Sequence, residues 1–216
     1  VNIVLAKFEK TVQFTQMDEL MLGTQKKFDY LVFIGRFQPF HFAHKEVIDI
    51  AFGMSENVIL VLGSAQNERT IKNPFSIAER EQMILGNFNH EVQQHLFFVP
   101  IIDLYNDKKW VKAVTDGVAA VTGAGHKVGL IGHFKDESSY YLRLFPEWEL
   151  VELDNLKNAL SATPLREKYY RGEIDREHFP KNVQQFLQQF KNSEWYPKLQ
   201  QYYLKQDLSV VNQQEA

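Results

Sequence analysis

Four short apolar runs punctuate this chain, three of them closed by glycine. They are residues 30–35 (YLVFIG), 57–63 (NVILVLG), 96–102 (LFFVPII) and 127–132 (KVGLIG). A run that is apolar at successive positions, too short for a stable helix, reads as a strand buried on both faces. A weaker fifth run at 149–153 (ELVEL) suits an edge. Segments of helical spacing lie between them. Residues 43–52 put Val47, Ile48, Ala51 and Phe52 on one stripe, and residues 110–121 do the same with Trp110, Val114, Val118 and Val121. A third helix, 77–88, opens after Ser76 with Glu79 three residues on, the capping-box arrangement. Strands alternating with helices at this spacing predict an α/β fold, a parallel sheet with helices on both faces. Its ligands belong beyond the carboxyl ends of the strands, where strand order reverses.

The 216 residues leave room for one large α/β domain, or one domain and an appendage. After residue 172 the texture changes to glutamine-rich amphipathic segments at 183–190 and 195–208. With 24 basic and 27 acidic side chains the net charge is −3. That balance speaks against a global electrostatic grip on nucleic acid or anionic membrane and leaves room for a local basic pocket. Cysteine is absent, which excludes disulfides, thiolate metal sites and cysteine nucleophiles. No apolar run approaches the roughly 18–20 residues of a membrane span. The patch at 3–6 is too short for a secretory signal, so the expected location is cytoplasmic.

The strand ends carry the chemistry. After the first run comes Gly35-Arg36-Phe37-Gln38-Pro39-Phe40-His41-Phe42-Ala43-His44. Glycine permits a tight turn and close approach to a ligand. His41 and His44, three apart at a helix start, project from one face into an end that already favours anions. Taken alone, such a pair is more often solvated or bonded to backbone, and two histidines without a third ligand make a poor metal site. Further on, Ser161-Ala162-Thr163-Pro164-Leu165-Arg166 offers a hydroxyl cap, an early proline and an arginine one turn in. Ser161 and Thr163 can donate to phosphate oxygens and Arg166 can fork two of them, although a capped helix is the plainer reading of that segment by itself. Arg80 suits either the site or a surface salt bridge. Trp110 suits either a stacking platform or the core. Gly132-His133-Phe134-Lys135-Asp136 follows the fourth run and belongs across the crevice from Gly35. There is no Walker loop, no dinucleotide fingerprint and no H-E-x-x-H.

Together, Gly35-Arg36-Phe37-Gln38-Pro39-Phe40-His41-x-x-His44 and Ser161-x-Thr163-x-x-Arg166 resemble the nucleotidyltransferase superfamily. More narrowly, the chain is similar to the archaeal-type nicotinamide mononucleotide adenylyltransferases, especially those fused in bacteria to a Nudix hydrolase domain. Supporting segments are Gly63-Ser64, Asn73-Pro74-Phe75 with Glu79-Arg80, and Gly132-His133-x-Lys135-Asp136-x-Ser138-Ser139-Tyr140-Tyr141-Leu142 running into Leu144-Phe145-Pro146-x-Trp148. The resemblance spans about residues 30–172. It implies a Rossmann-like nucleotidyltransferase fold with a helical C-terminal extension, divided as 1–28, 29–179 and 180–216. The last segment resembles the linker toward a Nudix domain, whose glutamate box is not found here. It implies AMP transfer from ATP to NMN, giving NAD and pyrophosphate, with nicotinic acid mononucleotide as an alternative acceptor. The catalytic residues would be His41, His44 and Arg166. ATP would be held by Gly35, Arg36, Phe37, Ser161 and Thr163. The nicotinamide nucleotide would meet Gln38, Arg80, Trp110, Gly132, Lys135 and Asp136. Mg2+ would arrive with ATP rather than in a protein cage. A different phosphate acceptor, a nucleotide sensor without turnover, an interaction role for the glutamine-rich tail and homo-oligomer formation all stay open.

Overall fold

The computed structural model describes residues 26–66, 68–134, 137–154 and 161–214. The strands are β1 (Phe28–Gly35), β2 (Ser55–Leu62), β3 (Leu96–Pro100), β4 (Val128–Gly132) and β5 (Glu149–Glu152). All four strand pairs are parallel, and the order is β3-β2-β1-β4-β5. The five apolar runs are therefore the five strands, with the weakest at an edge. The helices are α1 (Phe42–Met54), α2 (Ile77–Leu85), α3 (His90–Gln93), α4 (Asp107–Thr122), α5 (Ala162–Tyr170), α6 (Lys181–Phe190) and α7 (Trp195–Gln214), with a 3-10 helix at Glu137–Arg143.

The apolar runs are continuous because the central strands have an inside on both faces. Along β1, Leu31 joins one core and Val32 the other. Along β2, Val58, Leu60 and Leu62 alternate with Ile59 and Val61. Each such side chain contributes about 1.5–3 kcal/mol by leaving water. The first core is covered by α1, α2, α5, α6 and α7, and the second by α4, the 3-10 helix and Trp148. The expected helices on both faces are thus present.

Local chemistry sets the element ends. Ser76 and Glu79 form the anticipated capping box on α2, with the Glu79 carboxylate accepting from the Ser76 N–H at 2.7 Å. Helix α4 starts three residues before the apolar stripe that announced it, because the Asn106 side chain accepts from the Lys109 N–H at 3.0 Å and caps a polar first turn. Gly117 lets α4 sit close on the sheet: a Cβ there would lie 2.6 Å from Val99 Cγ1. The helices beyond residue 180 do not stand apart. Val183, Leu187, Phe190, Tyr196 and Leu199 are buried in the first core, and the Tyr196 hydroxyl donates to the Tyr169 carbonyl of α5 at 2.8 Å. Residues 1–25 of the expected N-terminal extension lie outside the described residues.

Candidate active site

Strand order reverses between β1 and its neighbours β2 and β4, and a cleft of about 810 Å³ opens at that point, within the size range of small-molecule sites. Its wall is built from the turns that follow the strands and from the first turns of α1 and α5.

After Gly35 the chain turns sharply. Phe37 takes a left-handed backbone (φ 52°) and its ring folds back over Gly35, where a Cβ would come 3.0 Å from the ring tip. The Phe37 ring stands edge-on to Phe33 at 5.3 Å and lies 4.8 Å from the His44 ring. His41 is the N-cap residue of α1 and is buried. His44 sits one turn further on, and the two imidazoles stack with centroids 3.7 Å apart and planes 23° apart. Both histidines line the cleft. The predicted common face is therefore observed.

Helix α5 brings a second set of donors to the cleft. The Ser161 hydroxyl oxygen accepts from the Thr163 N–H at 3.3 Å, and the Thr163 hydroxyl oxygen accepts from Arg166 Nη2 at 3.1 Å. Each hydroxyl keeps its own hydrogen to donate. Arg166 Nη1 donates to the Gln38 carbonyl at 2.7 Å, tying α5 to the turn after β1. Burial, and then the positive charge of nearby Arg36, lower the Arg166 pKa to about 10, so the group still carries its charge at neutral pH. Two guanidiniums brought this close favour an anion between them.

Two carboxylates also line the cleft. Asp103 follows β3, and its carboxylate accepts from the Ser64 hydroxyl at 3.1 Å and from the Gln66 amide at 2.7 Å. Asp107 opens α4 and accepts from the Tyr140 hydroxyl at 3.0 Å. Trp110 lines the cleft half-buried, edge-on to Tyr141 and Phe145 at 6.0 and 5.8 Å, so it belongs to both the wall and the core behind it.

Of the residues singled out from sequence, the structure brings Gly35, Arg36, Phe37, Gln38, His41, His44, Trp110, Gly132, Ser161, Thr163 and Arg166 to this one cleft. Two carry a different local duty from the one expected. Arg80 does not line the cleft. It is 1% exposed and its Nη1 donates to the carbonyls of Arg36 at 3.0 Å and Gly63 at 2.8 Å, clamping the turns after β1 and β2 from behind. Its Nε and Nη1 donate to main-chain oxygens, so it serves as a buried clamp and not as a surface salt bridge. Gln38 uses its side-chain amide on Phe75, donating to that carbonyl at 2.8 Å and accepting from that N–H at 2.9 Å. Lys135 and Asp136 lie outside the described residues. Asp103, Asp107 and Tyr140 were not singled out as site residues. Applying the strand-end rule after the third run would have reached Asp103.

An all-parallel sheet of this order, with cationic helix starts meeting at its switch point, defines the nucleotidyltransferase class. The cytidylyltransferase-like family model matches residues 32–93. A nicotinamide/nicotinic acid mononucleotide adenylyltransferase of Acinetobacter baylyi is 60% identical over 183 residues, covering 85% of this chain and 97% of the relative. A nicotinamide-nucleotide adenylyltransferase of Thermococcus onnurineus is 29% identical over 164 residues, 76% of this chain and 84% of the relative. The crystal structure of a bifunctional NMN adenylyltransferase/ADP ribose pyrophosphatase from Francisella tularensis superposes with a TM-score of 0.79 at 34% identity, over 88% of this chain and 57% of that one. A second structure of that protein, with AMP and a manganese ion, gives 0.76 at 33%, over 86% of this chain and 56% of that one. The chain thus spans a little over half of the bifunctional protein. It belongs to the nicotinamide-nucleotide adenylyltransferase family.

Proposed function

We propose that this cleft transfers AMP from ATP to nicotinamide mononucleotide, giving NAD and pyrophosphate. The observation that carries the reading is the convergence of the stacked His41–His44 pair, Arg36 and the α5 start with Arg166 on a single cleft. A phosphate oxygen of the mononucleotide attacks the α-phosphorus of ATP. The new P–O bond forms as the bond from the α-phosphorus to the bridging oxygen breaks, and that oxygen leaves with the electron pair as pyrophosphate. The attacking phosphate is already ionised near neutral pH, so alignment and charge stabilisation can supply most of the rate.

In this reading His41 and His44 donate ring N–H groups to the ATP phosphates, with His44 nearest the charge that develops. Arg166, Ser161 and Thr163 hold the leaving oxygens, and Arg36 secures a phosphate. The nicotinamide ring lies toward Trp110 and the acidic turn at Asp103. Among the described residues no three His, Asp or Glu side chains converge on a metal-sized point, and the groups facing the phosphates are cationic or neutral donors. These residues suit Mg2+ entering on the triphosphate, where it neutralises phosphate charge.

The test is NAD formation from NMN, ATP and Mg2+, followed through a coupled dehydrogenase, with nicotinic acid mononucleotide as a parallel acceptor followed by pyrophosphate release. Formation of NAD with release of pyrophosphate is the expected result. Turnover with neither acceptor would overturn the reading.

A further inference from the structure

We propose that Asp175 is a positioning residue which holds the two phosphate-facing helices, α1 and α5, in register through the turn at 175–178. This rests on the reading of His41, His44 and Arg166 given above. The Asp175 side chain is 5% exposed. Its Oδ1 accepts from the Glu177 N–H at 3.1 Å and the His178 N–H at 3.0 Å, and faces His178 Nδ1 at 2.9 Å. Its Oδ2 accepts from Lys168 Nζ at 2.7 Å. Lys168 lies on α5, two residues after Arg166. The turn that Asp175 shapes presents the His178 carbonyl, which accepts from the Phe42 N–H at 3.0 Å. That N–H is the first of α1 and falls between His41 and His44.

One carboxylate therefore reaches both arms of the site. The first N–H groups of a helix have no partner inside it, so a loop carbonyl placed there fixes where the helix begins. Burial alone would push the Asp175 carboxyl up, but the bonds from Lys168 and from the His178 ring and N–H outweigh it and hold the group at about 2. The tie is thus ionised through the neutral range. An asparagine would keep one oxygen for the two turn N–H groups and turn its NH2 toward the Lys168 ammonium, donor against donor. Asp175→Asn cuts the α5 arm and leaves the turn.

The test compares Asp175→Asn and Lys168→Met with Val118→Ala, a destabilising control buried under α4 on the opposite face of the sheet. The histidine ring resonances of the full chain are recorded without nucleotide, and kcat and the ATP KM are measured well below every melting temperature. We expect the His41 and His44 resonances to move in both tie variants and to stay in place in the control. We expect kcat to fall about tenfold in Asp175→Asn, since an ångström of misplacement is costly in an aligned site, with a smaller loss in Lys168→Met. Unmoved rings in both tie variants, or equal ring movement in the control, overturn the proposal. Moved rings with normal turnover would instead overturn the assignment of the histidines to the reaction. If Asp175→Asn fails to fold, Lys168→Met decides on the same criteria, because its ammonium is half exposed and the Asp175 carboxylate it leaves keeps its bonds from the Glu177 and His178 N–H groups.

Discussion

His44 and Arg166 approach the cleft from different helices, so removing each isolates a different contribution. Losing one well-aimed donor to developing charge costs about 10²–10³ in rate, or roughly 3–4 kcal/mol of barrier. His44→Ala is expected to lose at least that much turnover in the coupled assay while its melting curve stays cooperative. Arg166→Ala is expected to raise the ATP KM and lower kcat together, because the guanidinium would bind the phosphates and also fastens the Gln38 carbonyl; initial rates across an ATP series measure both. Arg80→Lys tests the clamp behind the site. A lysine side chain is one atom shorter, so its ammonium stops short of the two carbonyls that Nη1 holds, and about 1–3 kcal/mol of stability should go with the stranded acceptors, read from urea unfolding. His41, His44, Ser161, Thr163 and Arg166 were legible because each motif is local: three residues apart means one helical face. Arg80 and Gln38 were not, because their partners at 36, 63 and 75 are neighbours only after the strands assemble.

At the level of elements, strands were read well because burial on both faces leaves an unbroken apolar run. Helix starts were read where a cap had a signature, as at Ser76, and missed where polar residues preceded the stripe, as at Asn106. The 3-10 helix and α3 escaped because they are too short to show a period. The seating of α4 yields a prediction in which two effects compete. Gly→Ala inside a helix ordinarily gains about 1 kcal/mol. At Gly117 the new methyl would sit 2.6 Å from Val99 Cγ1, and Val99 is a stiff β-branched residue in β3. Overpacking of that kind costs about 1–3 kcal/mol. Gly117→Ala should therefore lower the urea midpoint, and a raised midpoint would show that α4 can lift off the sheet at little cost.

For the whole molecule, the tail was legible as amphipathic helices but its docking place was not. Phe190 meets Phe75 at 5.0 Å, and Tyr196 reaches Tyr169; nothing in the local pattern names such partners. The tie at Asp175 also sets how the fold answers acid. Its folded pKa, at about 2, lies below the ordinary value of 3.8, so its stabilising effect is fully present above pH 4 and fades as pH falls toward 2. The difference corresponds to about 2 kcal/mol. Chemical denaturation between pH 5 and pH 2 should show Asp175→Asn losing less stability over that interval than the parent chain.

The arginine pair and the two aspartates line one cavity. Fixed charges of both signs at a single opening favour a ligand that is itself a zwitterion. A mononucleotide whose oxidised pyridine ring bears a positive charge and whose other end is a dianion has a partner of the right sign there for each of its ends.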